Sequence, residues 1–410
     1  MPYENIEVVL GTYEEFILGY KIVSDEKESY SLVQSFANHS HRASIRCVAT
    51  AGKYLASGGA DEDIHLYDLS SRKESGILGY HDGTVNCLQF TPNGSHLLSG
   101  CEKGTIAVCR TGNWQVEKQW GAAHKGSAVT SLSVHPSGKI ALSVGRDGRL
   151  RTWNLIKGRQ AYATHLSVDK YQQVSSVEWS SSGDMYAVLF PSRVDVYNME
   201  TAGVIYSFES KKKLTCIFFM NDDILCVGDE EGSLALHSVQ RRSLLKKIKA
   251  HEDRIKCMDM VNPWLVSASS SGTIRLWSLK NEEHLSEVCS VNTGCRITCI
   301  VLVCGQNTNS TTKEEELDVK AQVLSKSDKR KVGFVVELSD SESSPMKKGT
   351  VIMEQTSPKS KINKKDKSRK LKSINKTSAK KNKLKKQQLN SSTVSVTDSC
   401  GQKWVVEDIE

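Results

Sequence analysis

A unit of about forty residues recurs along most of this chain, and no other sequence feature narrows the possible folds so far. Five segments align as one pattern: LASGGADEDIHLYDL (55–69), LLSGCEKGTIAVCR (97–110), ALSVGRDGRLRTWNL (141–155), LCVGDEEGSLALHSV (225–239) and LVSASSSGTIRLWSL (265–279). In each, an apolar run enters a Gly, Ser or Asp turn. It leaves as an alternating run ending in an aromatic residue or a substitute for one, as a tight β-hairpin requires. Four units open with a histidine before a short β-like run: His41, His81, His124 and His251. The spacings are 40 and 43, then 127, a gap that holds three further periods. His165 falls near the first expected place in that gap.

This pattern resembles the WD40 repeat, which implies an all-β propeller of four-stranded blades. Six units are visible, the fourth (VSSVEWSSSGDMYAVLFPSRVDVYNM) and fifth being degenerate. CRITCIVLV (295–303) reads as an inner strand with no blade after it, and residues 6–37 read as three strands with no inner strand before them. Joined, they make a seventh blade and remove the two sheet edges of an open ring, which would otherwise invite aggregation. The expected organisation is a seven-bladed propeller over residues 4–305 and a disordered lysine-rich tail over 306–410.

Ser143, His124 and Asp147 together suggest a hydrolase triad. Repetition argues against it: His41, Ser57, Asp61 and Tyr67 take equivalent places in the first unit, and an active site has no reason to recur in a neighbouring blade. The resemblance to WD40 blades implies instead that His124, Ser143, Asp147 and Trp153 form a structural hydrogen-bond chain. Lys103 and Ser271 stand where the turn aspartate belongs, Glu231 is a longer stand-in, and Cys109 and His237 replace the tryptophan. Lys103, Lys125 and Arg146 then fall on one rim of two adjacent blades. On a net acidic domain they offer a positive patch for a partner.

The charge is unevenly spread. Between Lys347 and Lys386 sixteen Lys or Arg stand against Glu354 and Asp366, a local +14 in a chain whose total is +8, so the remainder is net acidic. The block holds Lys364, Lys365, Lys367, Arg369, Lys370, Lys372, Lys380, Lys381, Lys383, Lys385 and Lys386. It reads as a nuclear or nucleolar address that also binds RNA phosphates by counterion release. Sequence-specific readout is not expected, because aromatics are missing there. SDSESSP (339–345) offers phospho-acceptor serines, and Trp404 a late anchor for a partner.

The twelve cysteines are scattered and do not form a disulfide framework, which points to a reducing compartment. Cys289, Cys295, Cys299 and Cys304 lack zinc-ligand spacing, so no metal is expected. The N-terminus carries no signal-peptide pattern, and the longest apolar run, CIVLVC (299–304), is too short to span a bilayer. No phosphate-binding, dinucleotide-binding or hydrolase motif is present, so the expectation is a non-enzyme with no cofactor, small-molecule substrate or membrane.

The third unit, AHKGSAVTSLSVHPSGKIALSVGRDGRLRTWNLIKGRQAY, together with VVLGTYEEFILGYKI and VGDEEG, resembles the PAK-interacting protein family. That resemblance implies a nucleolar factor acting in assembly of the large (60S) ribosomal subunit and pre-rRNA processing, with pre-60S proteins and rRNA as partners. It also implies, as an alternative, a negative regulator of Rac/Cdc-activated (PAK) kinases that binds their regulatory domain.

Overall fold

The structure is a computed structural model that describes residues 6–24, 29–166, 173–281 and 284–304, and two short strands further on. Residues 1–311 form one compact unit and 312–410 a second. In the second, Ser395–Thr397 pairs antiparallel with Lys403–Val405, Val396 opposite Trp404. Apart from those two strands, the segment 306–410, expected to be disordered, lies outside the described residues, as do the lysines of the basic block.

The first unit is all β: seven four-stranded antiparallel sheets, each a meander. Blade three shows the plan, with strands Val129–Val134, Ile140–Gly145, Arg149–Asn154 and Arg159–His165. Its second strand is buried almost throughout, while its fourth is mostly exposed. The near-continuous apolar run IALSVG therefore belongs at the centre of the sheet and the polar RQAYATH at its edge. Blades one, two, four, five and six follow the same order. His165, which sits near an expected repeat position, ends this fourth strand opposite Arg149 and opens no blade.

The seventh sheet takes its first strand, Ile297–Cys304, from the far end of the unit, and the others, Ile6–Thr12, Phe16–Ser24 and Tyr30–His39, from the N-terminus. Ile6 pairs with Cys304, Val8 with Leu302 and Leu10 with Ile300. The first strands of successive blades contact one another all the way round, that of blade seven touching that of blade one.

The core is divided among the joints between blades. Among the described residues there are seven apolar clusters, each built from two neighbouring blades. At the closing joint, Val9, Ile17 and Val303 of blade seven pack on Ile45, Leu55 and Tyr67 of blade one. A blade has apolar residues on both faces and cannot hide either alone, so the ring is the smallest arrangement that covers all of them.

One irregularity marks equivalent positions better than residue identity does. In all seven blades the register between third and fourth strands slips by a residue at the same place, just before Tyr67, Cys109, Trp153, Tyr197, His237 and Trp277, and between Gly19 and Tyr20 in blade seven. Such a bulge increases local twist, which turns each outer strand away from its neighbour.

Candidate functional site

The polar side chains singled out in the sequence fall into two groups, those buried within blades and those on the rim. In blade three the turn between second and third strands and the loop before the first strand meet, Arg146 N donating to Ala128 O at 2.9 Å. Trp153 Nε1–H donates to Ser143 Oγ at 2.9 Å, and Ser143 lies 2.7 Å from His124 Nε2. His124 Nδ1 lies 2.8 Å from Asp147 Oδ1. The chain runs in one direction, each group donating to the next, and ends on a carboxylate that also receives Arg151 at 2.7 Å. Burial alone would raise the Asp147 carboxyl, but His124 and Arg151 outweigh it and hold the group down at about 2. Ser143 and His124 are wholly buried, and the serine oxygen is already engaged on both sides, so no substrate reaches it.

Blades one, two and six retain parts of this chain. In blade one His41 lies 2.7 Å from Ser57 Oγ and 2.9 Å from Asp61 Oδ2. The Tyr67 hydroxyl lies beside Ser57 and Ser40 but outside good hydrogen-bond geometry, so the tyrosine is at most a weak replacement for a tryptophan donor here. In blade two His81 reaches Ser99 at 2.7 Å, and the missing tryptophan is supplied from an unexpected direction: Tyr80, next to the histidine, puts its hydroxyl 3.0 Å from Ser99 Oγ. Blade six has His251, Ser267 and Trp277 in place, with bonds of 2.7 and 2.9 Å. Where Lys103 and Ser271 replace the aspartate, the histidine Nδ1 atoms of His81 and His251 are buried without a partner. Burial pushes both imidazoles down to about 4.

Blade five has no such chain. Glu231, in the turn-aspartate place, pairs with Lys212 instead. The turn is held by Asp229, which accepts from Glu231 N and Ser233 N at 3.0 and 2.7 Å. His237 is stacked on Phe208 at 3.8 Å and bonded to the Tyr206 hydroxyl at 2.9 Å. Sequence reasoning did not find Asp229, which occupies a place held by glycine in blade three.

On the rim, Lys103 and Lys125 are exposed, and neither side chain makes an ion pair among the described residues. Their loops touch: His124 N donates to Gly104 O at 3.1 Å. Gly104 has φ +83°, and a Cβ there would come within 2.7 Å of Ser127 O, so a glycine is required for this approach. Arg146 departs from the expectation of a free cation, because its guanidinium lies 3.7 Å from Glu102 in the neighbouring blade. The patch is therefore smaller than three charges.

Elsewhere on this rim a cavity of about 450 Å³ spans blades five to seven and is lined by Lys213, Thr215, Glu230, Asp253, Arg254, Ser270 and Arg296. Mixed charge and a wide mouth suit a polar protein surface better than a compact small molecule. Deeper in the ring, burial and the nearby Asp259 push the Glu178 carboxyl up to about 8, and burial pushes Asp259 up to about 6. Among the described residues every cysteine is a free thiol, and Cys289, Cys295, Cys299 and Cys304 form no ligand cluster.

Comparison with known proteins agrees with this architecture. The family model for the β-propeller domain of nucleoporin Nup120/160 matches residues 24–296. A p21-activated protein kinase-interacting protein 1-like protein of Danio rerio is 39% identical over 337 residues, 79% of this chain and 89% of its own. Human p21-activated protein kinase-interacting protein 1 is 33% identical over 306 residues, 72% of this chain and 76% of its own. Shk1 kinase-binding protein 15 of Schizosaccharomyces pombe is 27% identical over 328 residues, 78% of this chain and 90% of its own.

Proposed function

This chain belongs to the p21-activated protein kinase-interacting protein family, with a propeller of the kind the Nup120/160 β-propeller model describes, and from that premise we propose that it is a non-enzymatic nucleolar scaffold in assembly of the large ribosomal subunit. The propeller, about residues 4–305, docks on proteins of the pre-60S particle. The segment 306–410 contacts rRNA and directs the chain to the nucleolus. The observation that carries this reading is the separation of charge: a +14 lysine block outside a propeller whose own acidic and basic residues nearly cancel. A compact basic block binds phosphate backbones without reading sequence, and a nearly neutral scaffold does not compete with it for the same RNA.

Ser143 and His124, the residues a hydrolase would use, are wholly buried and engaged in holding strands together, which supports a scaffold over a catalyst. Lys103 and Lys125, on touching loops with free ammonium groups, are the propeller cations best placed to meet an acidic partner surface. A second reading, regulation of a p21-activated kinase, is favoured by the names of the human and fission yeast relatives, both of which describe kinase binding. Affinity purification of the full chain at moderate salt separates the two. Pre-60S proteins are expected to co-elute, with less recovered by a Lys103→Glu, Lys125→Glu double variant. A kinase as the stoichiometric partner, with ribosomal proteins absent, would replace the first reading by the second.

A further inference from the structure

Blade one departs from blade three at one residue, and the departure leaves a buried gap lined with electron pairs. In blade three Asp147 receives His124 on one oxygen and the Arg151 guanidinium on the other, at 2.8 and 2.7 Å. Blade one keeps His41, Ser57 and Asp61, but His65 stands four residues past the aspartate, where blade three has arginine. His65 is only 3% exposed. Its Nδ1 lies 3.1 Å from Glu74 Oε1, so Nδ1–H donates to that carboxylate and the lone pair of Nε2 points the other way. Nε2 has no hydrogen-bond partner and stops 3.9 Å from Asp61 Oδ2. That distance is beyond hydrogen-bond reach. Asp61 Oδ2 already accepts from Arg42 N at 3.0 Å and lies 2.9 Å from His41 Nδ1, but the buried Nε2 lone pair facing it has no donor, an arrangement that costs free energy unless something positive lies between them.

We propose that His41 Nδ1, the Asp61 carboxylate and His65 Nε2 form a three-ligand site for a divalent transition metal of the zinc class. The donor atoms all lie within 4.8 Å of one another. Atoms about 2.0–2.2 Å from a shared tetrahedral ion lie about 3.3–3.6 Å apart, so the two rings and the carboxylate draw in by about 1 Å to close the shell. Two imidazoles and a carboxylate suit zinc, cobalt or nickel and do not suit magnesium or calcium, which take oxygen ligands. Glu74 holds His65 from behind, as carboxylates commonly do for metal-bound histidines. The ion's two charges are balanced by Asp61 and Glu74, and its fourth position is left for water.

Proton placement is consistent with this. A metal on His41 Nδ1 requires the ring proton to sit on Nε2, where Ser57 Oγ, 2.7 Å away, accepts it. The imidazole stays neutral, and the serine's own proton turns toward the unpartnered Tyr67 hydroxyl beside it. Asp61 lies in the turn Ala60–Glu62, which reaches solvent at Glu62, so a path from outside runs past the carboxylate. No other group of three such ligands occurs among the described residues.

The test uses the full chain without an affinity tag, stripped with a chelator and then titrated with zinc in competition with a chromophoric chelator. One equivalent is expected to be retained. His65→Arg restores the residue that blade three uses, so this variant is expected to fold and melt no lower than the metal-free parent while retaining no equivalent. Glu74→Gln is expected to weaken binding by about 10-fold or more. Cobalt in place of zinc is expected to give a visible spectrum without sulfur-to-metal charge transfer. Failure of the parent chain to retain zinc, equal retention by His65→Arg, or a thiolate band with cobalt would each overturn the assignment.

Discussion

The hydrogen-bond chains within blades are governed by a single acceptor, the turn carboxylate, and its loss has a measurable consequence. His251 is bonded through Nε2 to Ser267, but its Nδ1 is buried with no acceptor, because Ser271 is too short and bonds Ser269 instead. Ser271→Asp would rebuild the blade-three arrangement, with Arg275 standing where Arg151 stands. A new charge-assisted hydrogen bond of this kind is expected to add about 1–2 kcal/mol in urea unfolding at pH 7.5. The pH dependence has a definite sign. The folded imidazole is held down at about 4 while the unfolded one titrates near 6.5. Its contribution is therefore present above about 6.5 and lost as pH falls from there toward 4. An aspartate partner raises the folded value, so the variant's advantage is expected to widen between pH 7.5 and 5.5; a gain that is absent or shrinks over that interval would contradict this account. The set His124, Ser143, Asp147 and Trp153 could be picked out through the resemblance to WD40 blades, since the serine, turn and aromatic places keep their mutual spacing although the histidine's varies. It did not show Tyr80, because a donor arriving from the residue beside the histidine belongs to no offset in the repeat. It also gave no reason to single out His65: the expectation of no metal weighed only the cysteines, and His65 and His41 meet only when the strand and the preceding loop are folded together.

At the scale of elements, what matters is which strands lack a partner of their own. Blade seven is assembled from Ile6–Thr12, Phe16–Ser24 and Tyr30–His39 laid against Ile297–Cys304. Val8, Val9, Leu10 and Ile17 are wholly buried and feed the apolar clusters on both sides of the blade. Each such side chain contributes about 1.5–3 kcal/mol by its burial. Removing residues 1–24 would therefore forfeit an amount comparable to the whole stability of a typical domain, about 5–15 kcal/mol. It would also expose two sheet edges. The truncated chain is expected to be aggregated or unfolded, which size-exclusion chromatography with thermal melting reads directly. A soluble monomer with an unchanged Tm would mean that the ring does not depend on this closure. The regular blades were legible from their turns, because Gly, Ser and Asp between alternating apolar runs announce a hairpin. Blade five was less so: its turn is capped by Asp229 rather than locked to a histidine, and its third strand ends in a stacked His237. The bulge before each aromatic position leaves no trace in residue identity, since glycine, valine, leucine and threonine precede it in different blades.

At the scale of the whole molecule, seven equivalent joints give a rigid ring whose two rims are built from loops, and rigid loop-lined rims suit the display of surfaces to partners. The nearly neutral propeller and the strongly basic block beyond it differ in electrostatic character, which fits the proposal of separate contacts on one particle. In the proposed function this chain travels with precursors of the large ribosomal subunit and is held there in part by phosphate contacts from the lysine block. Sedimentation of nuclear extract through a density gradient, with the full chain compared with a chain cut after residue 310, tests it most directly. The full chain is expected in the pre-60S fractions at low salt and to shift toward light fractions as salt rises, with a log–log slope of about 0.7–0.9 per phosphate contact. The cut chain is expected to remain folded but to be lighter at every salt concentration and less salt-sensitive. A full chain found only in light fractions at low salt, or a cut chain that co-sediments as well as the full one with the same salt slope, would contradict the account.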